Sequence, residues 1–290
     1  MKLIIVIFIA GIIFFACGIG ESKIENSSIS SDSSSFDYDS TVNELKNVLS
    51  EDFIVKGHSC FVIASNLSEK KTDDLIANTI ESAEKCFYNN FFEIKPDELV
   101  TIFLFNDDES YRYWAKKLFD DDDLSRFGYY KPSKKTMLMN INTGSGTLVH
   151  EMTHAFVRYD FPDIPSWFNE GLGSLYERCS LSNGEILGYV NWRLPDLQDA
   201  IYEGSYTSIK SLTETDYDEF YGDRSGFNYA QARYLCYYLQ EKKLLKPFYK
   251  MFRERYSEDN TGGKFLEEVT GKTLSELDKT FIEFAKKLRQ

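Results

Sequence analysis

Leu148-Val149-His150-Glu151-Met152-Thr153-His154-Ala155-Phe156 is the stretch on which the fold and chemistry of this chain turn. Residues four apart on a helix lie ~40° apart around its axis, so both imidazoles project from one face and can share a metal ion. Glu151 lies ~100° round from His150, which sets its carboxylate beside an open metal position and not among the ligands. The chain holds only three histidines, and with 24 glutamates in 290 residues the chance expectation of an HExxH pattern is roughly a fifth of a percent. The competing reading is a core helix with two satisfied histidines. Catalytic zinc takes three protein ligands plus water and lowers the water's pKa toward ~7, within reach of a nearby carboxylate. His150 and His154 are thus the candidate Zn2+ ligands and Glu151 the candidate general base.

A third ligand must come from elsewhere. Pro162 and Pro165 break the chain after the first helix, and Trp167 to Glu177 reads as a second helix returning against it. Fifteen residues separate His154 from Glu170, enough for a turn and an antiparallel return. Glu170 sits among Trp167, Phe168, Gly171 and Leu172, where burying a carboxylate without a cation would be costly. It is the candidate third ligand.

These two segments, His150 to His154 and Pro165-Ser166-Trp167-Phe168-Asn169-Glu170-Gly171-Leu172, resemble the peptidase MA-like gluzincins, the zinc peptidase class that includes thermolysin and the membrane alanyl-type aminopeptidases. The resemblance spans roughly 50 to 290, with its specific motifs between 128 and 177. It implies a zincin-like, two-lobed metallopeptidase whose zinc is held by the HExxH histidines and a downstream glutamate. Gly128-Tyr129-Tyr130, ahead of a Thr136 to Ile141 strand, resembles the edge strand that precedes the zinc helix in such domains. In the aminopeptidase branch a tyrosine some sixty residues past the ligand glutamate stabilises the oxyanion. Tyr229 is 59 residues past Glu170 and takes that role by similarity, against the alternative of a core tyrosine among 19. A GAMEN-type segment for the substrate N-terminus is missing, which favours an endopeptidase.

Outside the motif the chain reads as α+β. Cys60 to Ala64 and Val100 to Phe105 are apolar strands, and Thr136 to Ile141 alternates as a strand, the edge strand along which an extended substrate is expected to lie. Thr72 to Phe92 has helical periodicity, Tyr111 to Phe119 is a short helix, and Gly128 to Pro132 reads as a turn. The aspartates 120–123 lack the spacing and glycine of a calcium loop and read as a solvated helix end. After residue 145 the pattern is mostly helical, with helices opening near Phe227 and around Leu244 to Tyr256 and Leu274 to Leu288. The expectation is an N-lobe of mixed sheet and helices and a mainly helical C-lobe, in one domain over 43–290. His58 has no ligand-spaced partner and reads as structural.

The N-terminus carries a different signal. Lys2 precedes an apolar run from Leu3 to Ala16, short for a membrane span but suited to an export signal over 1–16. Phe14-Phe15-Ala16-Cys17-Gly18 resembles a bacterial lipobox, with Phe14 where leucine is usual, so Cys17 is the candidate lipidation site. Ordinary cleavage near Ala16, or an uncleaved anchor, stands beside it. Residues 17–42 are serine-rich without apolar periodicity and read as a flexible tether that holds a lipid-anchored domain off its membrane. The expected location is the bacterial cell envelope, or secretion as the alternative, since Asn26-Ser27-Ser28 and Asn66-Leu67-Ser68 are also glycosylation tripeptides. Cys60, Cys86, Cys179 and Cys236 allow three disulfide pairings; buried free thiols are the favoured reading.

Composition sets the outer bounds. With 33 Lys plus Arg against 46 Asp plus Glu, the net charge of -13 disfavours a nucleic-acid partner. The 42% apolar content excludes global disorder. The sequence therefore points to a membrane-anchored, extracytoplasmic zinc metallopeptidase acting on peptide or protein substrates. Two rivals stand beside it. A non-catalytic zincin-fold binding lipoprotein has no need of Glu151. A structural zinc site would close the fourth coordination position.

Overall fold

The computed structural model describes residues 36–290; the expected signal segment 1–16, Cys17 and most of the serine-rich stretch lie outside them. The first helix, α1 (Tyr38–Val48), is capped by Asp37, whose side chain accepts the Ser40 amide at 3.0 Å. The domain boundary expected at residue 43 falls inside it.

Strands β1 (Ile54–His58), β2 (Phe61–Ser65), β3 (Val100–Phe105), β4 (Gly128–Lys131) and β5 (Thr136–Asn140) form one mixed sheet in the order β1-β2-β3-β5-β4. The three central strands are parallel, and β1 and β4 run antiparallel at the edges. Every residue of β2 and β5 is buried, as expected of parallel strands covered on both faces. The pleat sends Phe61, Ile63, Ile102, Leu104, Met137 and Met139 to the main core. It sends Ala64, Phe103, Phe105 and Leu138 to a smaller core closed by Tyr111 and Trp114 of α4 (Asp108–Phe119). The helix expected over Thr72 to Phe92 is α2 (Glu69–Leu75), a π-helical stretch Ile76–Glu81 and α3 (Ser82–Asn90) in succession.

Two expectations are corrected here. Gly128 to Pro132 is not a turn: Gly128-Tyr129-Tyr130-Lys131 is β4, because two aromatics suit a pleated surface and the glycine and proline only bracket them. The turn falls at Pro132–Lys134 and ends on Lys135 at φ 50°. Nor is Thr136 to Ile141 the exposed edge. β5 sits between β3 and β4, with its backbone engaged on both sides, so the edge on this side of the sheet belongs to β4.

From Gly146 onward the chain is mainly helical: α5 (Gly146–Asp160) and α6 (Ser166–Leu175), then, after a hairpin, α7 (Leu194–Glu203), α8 (Ile209–Thr213), α9 (Tyr217–Tyr221), α10 (Ser225–Glu241), α11 (Leu245–Arg255), α12 (Gly263–Thr270) and α13 (Leu274–Lys287). The hairpin of β6 (Cys179–Ser182) and β7 (Glu185–Gly188) turns on Asn183-Gly184, both at positive φ, the pair best suited to a two-residue turn. The α+β class expected from the sequence is thus observed. Cys60, Cys86, Cys179 and Cys236 are all free thiols, three of them buried. Among the described residues no helix is long and apolar enough to cross a membrane.

What fixes α5 in place is its last residue. The buried Asp160 accepts the amides of Glu93 at 2.6 Å and Ile94 at 2.8 Å, the Tyr249 hydroxyl at 2.8 Å, and Arg253 at 2.9 and 3.0 Å. One carboxylate therefore joins the loop after α3 and α11 to the helix that carries the histidines.

Candidate metal centre

Helix α5 is buried along nearly its whole length, with Leu148, Val149, Met152, Ala155 and Phe156 in the core. His150 and Glu151 are buried with them, and such groups need partners. The partner arrives on α6, where Trp167, Phe168 and Leu172 pack into the core and Glu170 turns toward the histidines. His150 Nε2 and His154 Nε2 are 2.9 Å apart, and Glu170 Oε2 lies 3.3 Å from the first and 3.4 Å from the second. Around a tetrahedral ion with metal–ligand bonds of ~2.0–2.1 Å, ligand atoms stand ~3.3–3.4 Å apart. The observed triangle has nearly that size.

The lone pairs fit as well. Glu170 Oε2 is buried without a hydrogen-bond partner, while Oε1 accepts the Tyr221 hydroxyl at 2.6 Å. His154 Nδ1 is 2.9 Å from Asn169 Oδ1, so it carries the proton there and leaves Nε2 as a free donor atom. His150 Nδ1 faces Glu177 Oε1 at 3.4 Å, close enough for the carboxylate charge to act on the ring but without a formed hydrogen bond. Glu177 is itself held by Arg193 through two bonds of 2.8 and 3.1 Å. A buried group of two imidazoles and one carboxylate with an orphaned oxygen between them can bind a metal ion.

The electrostatics agree. Burial pulls the His150 pKa down, yet Glu170 and Glu177 outweigh it and raise the value to about 10. Burial likewise pushes Glu170 up, and the two imidazoles override it and hold the carboxyl well below its ordinary range. The pocket is thus built around a positive charge, which a metal ion supplies more completely than a proton. Glu151 differs: burial raises its pKa above the usual carboxylate value despite the pull of His150 and His154, which suits a proton acceptor. The backbone of Tyr130 on β4 is among its neighbours, so the base stands beside the β4 edge of the sheet.

Glycines admit this packing. A Cβ on Gly173 would stand 3.2 Å from three atoms of the His150 ring, and one on Gly171 would meet the Ala232 carbonyl oxygen at 2.9 Å. The Glu170-Gly171-Leu172-Gly173 run lets α6 lie close to both α5 and α10.

The structure therefore brings His150, His154 and Glu170 together. Tyr229 on α10 lies near them: burial first, then the charge of Glu170, a hydrogen bond to it and the charge of Glu151, push its pKa up, and its ring packs 6.2 Å from that of Tyr221. His58 stands apart on β1, paired with Glu84 at 3.5 Å, consistent with a structural role. Cys17 lies outside the described residues. Sequence reasoning passed over Asn169, Gly173, Glu177, Arg193 and Tyr221. Asn169 adjoins Glu170, and Glu177 follows it by seven residues, in the turn just past the end of α6 at Leu175; nothing in the sequence singles out Arg193 or Tyr221.

No protein-family model matches the chain, and no curated protein matches it.

Proposed function

We propose that this protein is a zincin-like, two-lobed zinc metallopeptidase, an endopeptidase anchored outside the cytoplasm by a lipid on Cys17. The observation that carries the reading is the triangle of His150, His154 and Glu170, with the raised, buried Glu151 next to it. His150 Nε2, His154 Nε2 and Glu170 Oε2 would hold the ion. Bound there, zinc supplies a Lewis acid that polarises a carbonyl and acidifies water to near neutral pH. Glu151 would accept a proton from the water that attacks the carbonyl carbon and deliver it to the amine nitrogen as the peptide C–N bond breaks. Tyr229 donates its phenolic hydrogen to the oxygen on which charge develops. A peptide would lie extended along β4, whose outer edge has no strand partner among the described residues, and use its backbone hydrogen bonds. Three protein ligands leave room for water and substrate, which argues against a purely structural ion.

The test is zinc content and peptide cleavage in wild type and Glu151→Gln. The variant is expected to keep its zinc and lose about 10²–10⁴-fold in turnover, the usual worth of a general base. If cleavage by Glu151→Gln equals that of a purified, active wild type, the catalytic reading fails.

A further inference from the structure

We propose that Tyr221 locks Glu170 into binding the metal through one oxygen only. The inference rests on the metal-centre reading above. A carboxylate can bind an ion through one oxygen or both, and the second mode consumes a coordination position that water or substrate needs. Glu170 Oε1 accepts the Tyr221 hydroxyl at 2.6 Å, whereas Oε2 has no hydrogen-bond partner and faces both imidazoles. The phenol thus occupies the oxygen that would otherwise swing onto the metal.

Tyr221 is held there independently of Glu170. It ends the short helix α9, which opens on a reciprocal cap: Asp216 accepts the Glu219 amide at 2.8 Å, and Glu219 accepts the Asp216 amide at 3.2 Å. The buried Asn228 on α10 donates to the Phe220 carbonyl at 3.0 Å and the Glu219 carbonyl at 3.2 Å, and Phe220 is fully buried. Tyr217 packs 4.5 Å from the Tyr221 ring on the outer side. These contacts aim the hydroxyl before any ligand arrives, as outer partners of metal ligands commonly do. Tyr221 is therefore a positioning residue. Tyr229 also reaches the Glu170 carboxylate, without the 2.6 Å bond to Oε1 that Tyr221 makes.

The experiment uses cobalt(II) as the probe ion on the full chain of wild type, Tyr221→Phe and Tyr229→Phe. Affinity is read by chelator competition and coordination number by visible absorption. Tyr221→Phe is expected to lose about 10–100-fold in affinity, and its absorption should weaken as the second oxygen raises the coordination number. Tyr229→Phe leaves that bond to Oε1 in place and is expected to lose less affinity and to keep the wild-type spectrum. A Tyr221→Phe protein with wild-type affinity and spectrum overturns the proposal. So does an affinity loss with an unchanged spectrum, or equal losses in both variants. If Tyr221→Phe does not fold, the infrared carboxylate bands of cobalt-loaded against metal-free wild type decide. Wide splitting marks one-oxygen binding, and narrow splitting overturns the proposal. A wild type that binds no cobalt or zinc refutes the metal centre itself, a distinct failure from a wild type that binds and a variant that matches it.

Discussion

Replacing Asp160 with alanine should unfasten the helix that carries the histidines. The carboxylate side chain is fully buried and serves four partners: the Glu93 and Ile94 amides, the Tyr249 hydroxyl and the Arg253 guanidinium. Arg253 keeps Glu93 at 2.6 Å, but that side chain is 56% exposed, so the surviving pair offsets little. Breaking a buried pair by removing one partner costs ~3–5 kcal/mol, and the orphaned amides keep this site off the low end, at about 4 kcal/mol. For a domain of this size that lowers Tm by roughly 8–16 °C, at ~2–4 °C per kcal/mol. Asp160→Asn keeps an acceptor for the two amides and should cost about half as much. Urea unfolding followed by circular dichroism gives both values, provided the slope with denaturant is unchanged. An Asp160→Ala protein within about 1 kcal/mol of wild type would refute the idea that this carboxylate is the anchor of α5.

Three further outcomes follow from the geometry. Gly173→Ala presses a methyl group against the His150 ring and should weaken metal binding by about tenfold, in chelator competition, while the metal-free protein melts almost as before. Gly171→Ala meets backbone and the Cys236 sulfur instead, so thermal unfolding should show a loss of ~1–3 kcal/mol. The bond to Glu84 raises the pKa of His58, against the opposing pull of burial. Folding therefore favours the protonated ring: its contribution is complete below the unfolded value of ~6.5 and is lost as pH rises through the higher folded value. The stability gap between wild type and His58→Gln should shrink across that window, and a gap that widens with pH would contradict the pairing.

The HExxH segment and the glutamate beyond the prolines were readable because chemistry constrains their spacing. Helical geometry alone puts His150 and His154 on one face, and an apolar setting makes an unpartnered Glu170 costly. The order of the sheet was not readable in this way. Every residue of β5 is buried, a pattern that marks a central strand in retrospect, but pairing is set by contacts distant in sequence. Gly128 and Pro132 drew a turn reading although the aromatics between them favour a strand. The β6–β7 hairpin was legible in Asn183-Gly184 and was passed over beneath the helical pattern around it. Tyr221 and Arg193 reach the site only through tertiary packing of α9 and of the loop before α7, and no local pattern marks either.

The central claim is that His150, His154 and Glu170 hold one metal ion. Elemental analysis of the purified full chain, with X-ray absorption at the zinc edge, tests it most directly. The expected result is one zinc per chain, two imidazole nitrogens and one carboxylate oxygen at ~2.0–2.2 Å, and loss of the metal in a His150→Ala/His154→Ala variant that still folds. Zinc absent from wild type after growth in zinc-replete medium, or retained at full stoichiometry in the double variant, would contradict it.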